Sequence, residues 1–271
     1  MPHTFQCEVG GKTLSLETGR LAIQAGGAVT VRYGDTVLLV TACAAPEPRE
    51  GRDFLPMTID YEERLYAAGK IPGSFFKREG RASESGTLAA RLTDRPLRPL
   101  FPEGFYNEVQ IIVTVLSADQ ENDPDVLGII GASAALSLSD IPFDGPVSAT
   151  RVGYVDGQII INPTYLQIEQ SKLDLVVAGT KNAIAMVEAG ASEVSEAIII
   201  EAVKRGQETN ENIISLQQEI ISLAGKEKAV FPESRQVDQR ILDRVSSFLG
   251  DNLESTVFTN EEKGERDNAV T

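Results

Sequence analysis

A chain of 271 residues with 42% hydrophobic and 24% charged residues has material for one large core or two smaller ones, in an ordinary soluble composition. A formal net charge of -15 repels nucleic acid from most of the surface, so a polyanion must enter through a local basic segment. No apolar run approaches the ~20 residues that cross a bilayer, and the N-terminus lacks the charged-then-apolar pattern of a signal peptide; the expectation is a cytoplasmic protein with no membrane and no DNA partner.

The first segment reads as strands. Runs at 4–9 and 12–17 flank Gly10-Gly11, and runs at 28–33 and 36–44 flank Gly34-Asp35, both hairpin signals. A short strand is predicted at 55–60. Ser83 or Ser85 caps a helix through Leu92, which Pro96 and Pro99 are expected to stop. The run VQIIVTVL (109–116) reads as a central strand, and the small-residue run 125–138 as a helix packed closely on a sheet.

A second β-α pass follows: strands at 147–155 and 158–161 around Asp156-Gly157, then 173–179 and 183–188. A long helix spans 193 to about 224, interrupted in propensity by Gly206, with Ile198, Ile199, Ile200, Val203, Ile213, Ile214, Leu216, Ile220 and Ile221 as its buried side. A short amphipathic helix is expected at 237–249, followed by an acidic stretch with no core face. Strands, helix, strands, helix and then helices only make an α+β chain.

Chemistry is sparse. The cysteines Cys7 and Cys43 lie far apart without CxxC spacing, which indicates neither disulfides nor zinc; both fall in strand-like runs and are expected to be buried thiols. The single histidine, His3, sits near the terminus, which excludes nucleophile schemes built on a core histidine. Gly11-Lys12-Thr13 ends like a phosphate loop, but Gln6 stands where its first glycine belongs, so it reads as a turn. No acidic pair has the spacing of a Mg²⁺ site.

The informative segment runs from Lys70 to Arg98, where seven bases (Lys70, Lys77, Arg78, Arg81, Arg91, Arg95, Arg98) face three acids (Glu79, Glu84, Asp94). Phe75-Phe76 stands in its loop, either as a core anchor or as a platform on which bases stack at ~1–3 kcal/mol each. Arg91, Arg95 and Arg98 fall at i, i+4 and i+7, with Asp94 available as an ion-pair partner. Loop and helix together make one cationic face suited to phosphates.

Several long motifs in order resemble the N-terminal part of the bacterial polynucleotide phosphorylases across nearly all of residues 10–245. They are YAAG (66–69), IPGSFF (71–76), DRPLRPLFP (94–102), IGASAALSL (130–138) and SKLDLVVAG (171–179). The resemblance implies a ribonuclease PH-like core (mixed sheets of the ribosomal protein S5 domain 2 type, packed with helices) followed by an incomplete all-α segment. Its first half is expected at 1–145, its second at 146–232, and the start of a helical linker at 233–271.

By that resemblance the activity is phosphorolytic 3′-to-5′ degradation of mRNA. Inorganic phosphate is the co-substrate, Mg²⁺ assists, and the protein forms a homotrimeric ring with RNA-degradosome partners. The phosphate and metal groups of such enzymes belong mainly to a second core, absent from these residues. Aligned on the shared segment, Asp174 matches one metal-binding aspartate, but Ile168 and Val176 replace its companions, so Asp174 is a vestigial candidate. Asn122-Asp123-Pro124-Asp125-Val126-Leu127-Gly128 replaces the Gly/Ser-rich phosphate loop. No catalytic residue is expected in this chain, and the 271 residues alone are expected to be inactive. Single-stranded RNA would be held by Phe75, Phe76, Lys77, Arg78, Arg81, Arg91, Arg95 and Arg98. The alternative is a stand-alone RNA-binding scaffold like the non-catalytic subunits of the exosome ring.

Overall fold

The computed structural model describes residues 2–49, 51, 53–73, 80–231, 238–250, 257–258 and 263–264. The chain separates into two compact units, Met1–Pro232 and Glu233–Thr271. In the first, a six-stranded sheet has the order β1 (His3–Val9), β2 (Lys12–Thr18), β3 (Gly27–Tyr33), β4 (Thr36–Ala44), β6 (Val109–Ser117), β5 (Met57–Glu63). Every neighbouring pair is antiparallel except β5 and β6. A parallel pair needs a crossover, and α1 (Glu84–Leu97) lies in that connection. A second, antiparallel sheet has the order β10 (Ile184–Ala191), β9 (Leu173–Gly179), β7 (Ser148–Val155), β8 (Gln158–Ile161). The expected α+β class, with a mixed and an antiparallel sheet packed with helices, is present.

Helix α2 (Asp125–Leu138) is buried from Val126 to Leu138 and packs on β3, β4 and β7. Its small residues are a steric requirement. A Cβ on Gly131 would lie 2.5 Å from a Val40 methyl, and one on Gly27 of β3 would lie 2.0 Å from the Ala135 carbonyl oxygen. At its C-terminus, Lys228 Nζ donates to the carbonyls of Leu136, Ser137 and Ser139 at 2.9, 3.0 and 2.8 Å. These are carbonyls that a helix end leaves without intrahelical partners.

The long helix α4 (Glu196–Ala224) runs unbroken through Gly206. Gly206 is buried, and a Cβ there would lie 3.1 Å from Val177 and 3.2 Å from Val152, so the glycine lets the helix approach the second sheet. Its buried face differs from the apolar row read from the sequence: Ile200 is exposed, whereas Asn210 and Gln217 are fully buried. Asn210 Nδ2 donates to the Val177 carbonyl at 3.0 Å and its Oδ1 accepts from Thr150 at 2.8 Å. Gln217 Nε2 donates to the Val147 carbonyl (2.9 Å) and its Oε1 accepts from Ser133 of α2 (2.8 Å), whose Oγ accepts the Val147 N–H (2.8 Å). Two turns apart on one face, the two amides stitch α4 to the second sheet and α2.

Three further readings are corrected. Pro96 does not stop α1: the helical bond its missing N–H forgoes is outweighed by packing, since Thr93, Pro96 and Leu97 are buried on the core. Cys43 is exposed and Cys7 half-buried, since the last two residues of β4 leave the covered part of the sheet. A short helix, α3 (Tyr165–Gln170), was not anticipated; Thr164 and Gln167 form its reciprocal capping box. In the second unit, α5 (Gln239–Leu249) begins at Asp238, whose side chain accepts from the Arg240 N–H. Among the described residues no helix is long and apolar enough to cross a membrane.

Gln217→Leu leaves the Ser133 hydroxyl without its acceptor and the Val147 carbonyl without its side-chain donor, in a buried site. Thermal unfolding is expected to show a loss of about 1–3 kcal/mol. Glu219→Gln, a neighbouring solvent-side change, is the control and should leave the transition in place.

Candidate nucleic-acid interface and the carboxylate cluster beside it

Phe75, Phe76, Lys77 and Arg78 lie outside the described residues. The four remaining candidate arginines separate by what each guanidinium already holds. Ser83 caps α1, accepting the Gly86 N–H at 2.9 Å, and Glu63 at the end of β5 binds both Ser83 and Ser85. This fixes the N-terminal end of the helix to the first sheet. Arg98, just past its C-terminal end, is a staple: Nε donates to Asp94 Oδ1 (2.7 Å) and Nη2 to Oδ2 (2.5 Å), while Nη1 and Nη2 reach the carbonyls of Leu55 (3.0 Å) and Met57 (3.3 Å).

Arg95 pairs with Glu188 of β10, about half of each side chain being exposed. Solvent competes for such a pair, which is worth ~0–1 kcal/mol. Arg81 and Arg91 are exposed and have no hydrogen-bond or ion-pair partner among the described residues. Arg91 and Arg95 stand one helical turn apart, and Arg81 borders a groove with Asp60, Glu62, Arg64 and Thr87.

The second site was only partly visible in the sequence. Arg151 on β7 is largely buried, with Nη1 3.0 Å from Asp123 Oδ2, Nη2 2.7 Å from Asp125 Oδ2 and Nε 3.6 Å from Asp174 Oδ1. Asp119 holds the preceding loop in place: its carboxylate accepts the backbone N–H groups of Glu121 and Asn122, both at 2.9 Å. Burial works against ionisation of Asp119, but these donors outweigh it and bring the pKa down to about 2.

At the start of α2, the N–H of Asp125 donates to Asp123 (3.2 Å) and that of Val126 to the Asp125 carboxylate (2.5 Å). A helix N-terminus is an anion site by virtue of its free N–H groups and dipole. Here the protein's own carboxylates take up those donors, and a phosphate would meet three negative side chains. Burial, then Asp123, push the Asp125 carboxyl above its usual range, with Arg151 opposing.

Asp174 therefore neighbours a guanidinium, and a divalent ion would have to displace Arg151 to reach the three carboxylates. The residues do not fit Mg²⁺. Among the described residues no three His, Cys, Asp or Glu side chains are grouped so that they could hold a metal ion together. The sequence offered Asp123, Asp125 and Asp174 individually, but Arg151 carries no motif and meets them only through the pairing of β7 with β9 and the packing of α2.

Arg151→Met would leave three carboxylates facing one another, at a cost of about 3–5 kcal/mol in thermal unfolding near neutral pH. The Asp125 carboxyl, already raised by burial and then without the guanidinium that opposes the shift, would rise further above the unfolded value of about 4, so the folded form takes up protons more readily. The deficit should shrink as pH is lowered from 8 to 5. A deficit that is flat or grows over that range would show that charge repulsion is not its cause.

With this geometry in view, comparison with known proteins is informative. The models of the 3′ exoribonuclease family, domain 1 and domain 2, match residues 10–142 and 145–209. The chain is 54% identical over 255 residues to the polyribonucleotide nucleotidyltransferase of Heliobacterium modesticaldum, covering 94% of this chain and 36% of that protein. It is 56% identical over 257 residues to that of Thermomicrobium roseum (94% and 32%) and 50% identical over 268 to that of Dehalococcoides mccartyi (99% and 37%). It thus spans about a third of the length of these relatives. The crystal structure of rice Rrp46 superposes with a TM-score of 0.62 at 16% identity, covering 76% of this chain and 92% of that one, and so shares the fold. The chain belongs to the 3′ exoribonuclease family, carrying its two domains in order and matching the bacterial polyribonucleotide nucleotidyltransferases over nearly its whole length.

Proposed function

We propose that these residues form the RNA-gripping part of a phosphorolytic 3′-to-5′ exoribonuclease that degrades mRNA in the cytoplasm, within a homotrimeric ring. The observation that carries the reading is the state of the arginines in and just before α1. In a chain of net charge -15, Arg81 and Arg91 are exposed and have no hydrogen-bond or ion-pair partner among the described residues. With Phe75, Phe76, Lys77 and Arg78 they would make a path for the backbone of single-stranded RNA. Arg95 would join by exchanging Glu188 for a phosphate, and Arg98 would act by holding Asp94 and the end of the helix in place. The cluster around Arg151 supports the second half of the proposal: with its helix end filled, bond cleavage belongs to polypeptide outside these residues. Inorganic phosphate and Mg²⁺ would bind there.

Arg81→Ala and Arg91→Ala should each flatten the slope of log K against log salt for single-stranded RNA by roughly 0.7, with little dependence on base identity. Arg98→Ala should instead chiefly lower the unfolding temperature. An unchanged slope in the Arg81→Ala/Arg91→Ala double variant removes these residues from the RNA path. Separately, the 271-residue chain incubated with oligo(A), phosphate and Mg²⁺ should release no nucleoside diphosphate; release would place the reaction within these residues.

A further inference from the structure

Between α1, the start of α2 and strands β7, β9 and β10 lies a cavity of about 570 Å³. Its wall carries five carboxylates (Glu63, Asp123, Asp125, Asp174 and Glu188) against the single guanidinium of Arg151. Three polar groups at this wall lack a hydrogen-bond partner: the Tyr61 hydroxyl, Asp174 Oδ1 and Arg151 Nε. The Tyr61 hydroxyl belongs to a residue only 4% exposed, and the Asp174 Oδ1 atom has Arg151 Nε no nearer than 3.6 Å. Burial raises the phenol's pKa, and Asp125, Asp123 and Glu63 raise it further, which sets the hydroxyl among the cavity's acids. An orphaned buried polar group is costly and calls for a partner.

With five carboxylates against one guanidinium, the partner that suits this wall is a donor with positive charge. A divalent metal would need several oxygens converging on one point, and the acids here are spread along the helix instead. Glu63 is tied to Ser83 and Ser85 at the first turn of α1, while Glu188 meets Arg95 near its last turn. Ten residues of helix separate Ser85 from Arg95, about 15 Å at 1.5 Å per residue. Between these ends the wall is apolar, formed by Leu88, Leu92 and Val176. Carboxylates at the ends and aliphatic surface between them match a chain of methylenes with ammonium groups at its ends.

We infer that this cavity binds a linear polyamine, with one ammonium group at Glu63 and the Tyr61 hydroxyl and another toward Glu188. The methylenes lie along Leu88, Leu92 and Val176, as lysine stems lie on apolar surface while their heads stay with polar partners. The site is separate from the RNA path on Arg81 and Arg91, and its test needs no RNA.

The measurement is calorimetric titration of spermidine into the full chain at fixed ionic strength without nucleic acid, with Mg²⁺ as a parallel titrant. Saturable one-to-one binding is expected, not displaced by Mg²⁺ at matched ionic strength, and weakened about tenfold by Glu63→Gln and several-fold by Tyr61→Phe. Tyr61→Phe removes a hydroxyl that has no partner to lose, so it remains decisive if Glu63→Gln loosens the start of α1. The inference is overturned by an absence of saturable binding, by equal affinity in wild type and Tyr61→Phe, or by displacement of spermidine by Mg²⁺ at equal ionic strength.

Discussion

Helix α2 has no solvent face beyond its first residue, and that constraint governs what surrounds it. A helix enclosed on all sides cannot use amphipathicity to choose its orientation, so its placement rests on close approach and on its ends. Gly27 brings the β3 backbone against that of α2, Gly131 admits the side chains of Val40 and Val31, and Lys228 takes the C-terminal carbonyls. Ser133, one of the two buried serines of α2, is held between Val147 and Gln217. At the other end, Asp123 and Asp125 fill the N–H groups and are bound by Arg151 of β7. The two sheets are thereby joined through a helix whose polar ends are both satisfied internally.

That arrangement has a functional consequence. A free helix N-terminus beside an arginine would suit a phosphate; one occupied by two carboxylates does not. The anionic character of the cleft contrasts with Arg91 of α1, which is exposed and has no hydrogen-bond or ion-pair partner among the described residues. A cleft of this sign favours a cation over a polyanion.

The elements themselves were largely legible in the residues. Alternation and glycine turns located the strands, and the run 125–138 matched α2 to the residue. The errors share a physical origin in tertiary contact. Local propensity gave Pro96 the power to stop α1 and cast doubt on Gly206, yet each sits on a face whose packing outweighs its local cost. Asn210 and Gln217 stood outside the apolar row read for α4 because their partners, Val177, Thr150, Val147 and Ser133, lie 33 to 84 positions away.

The candidate site divides along the same line. Residue order alone was enough for the α+β class, the family and the basic segment, because periodicity, motif order and charge are properties of consecutive residues. Which arginines are free was settled only by folding, since pairing depends on what another element brings within about 3 Å of a guanidinium. Arg98 and Arg91 look alike in the chain; one meets Asp94 and the carbonyls of Leu55 and Met57, the other meets no partner among the described residues. Likewise Arg151 has no local signature, and it became the centre of a three-carboxylate cluster because sheet pairing and a buried helix converge on it.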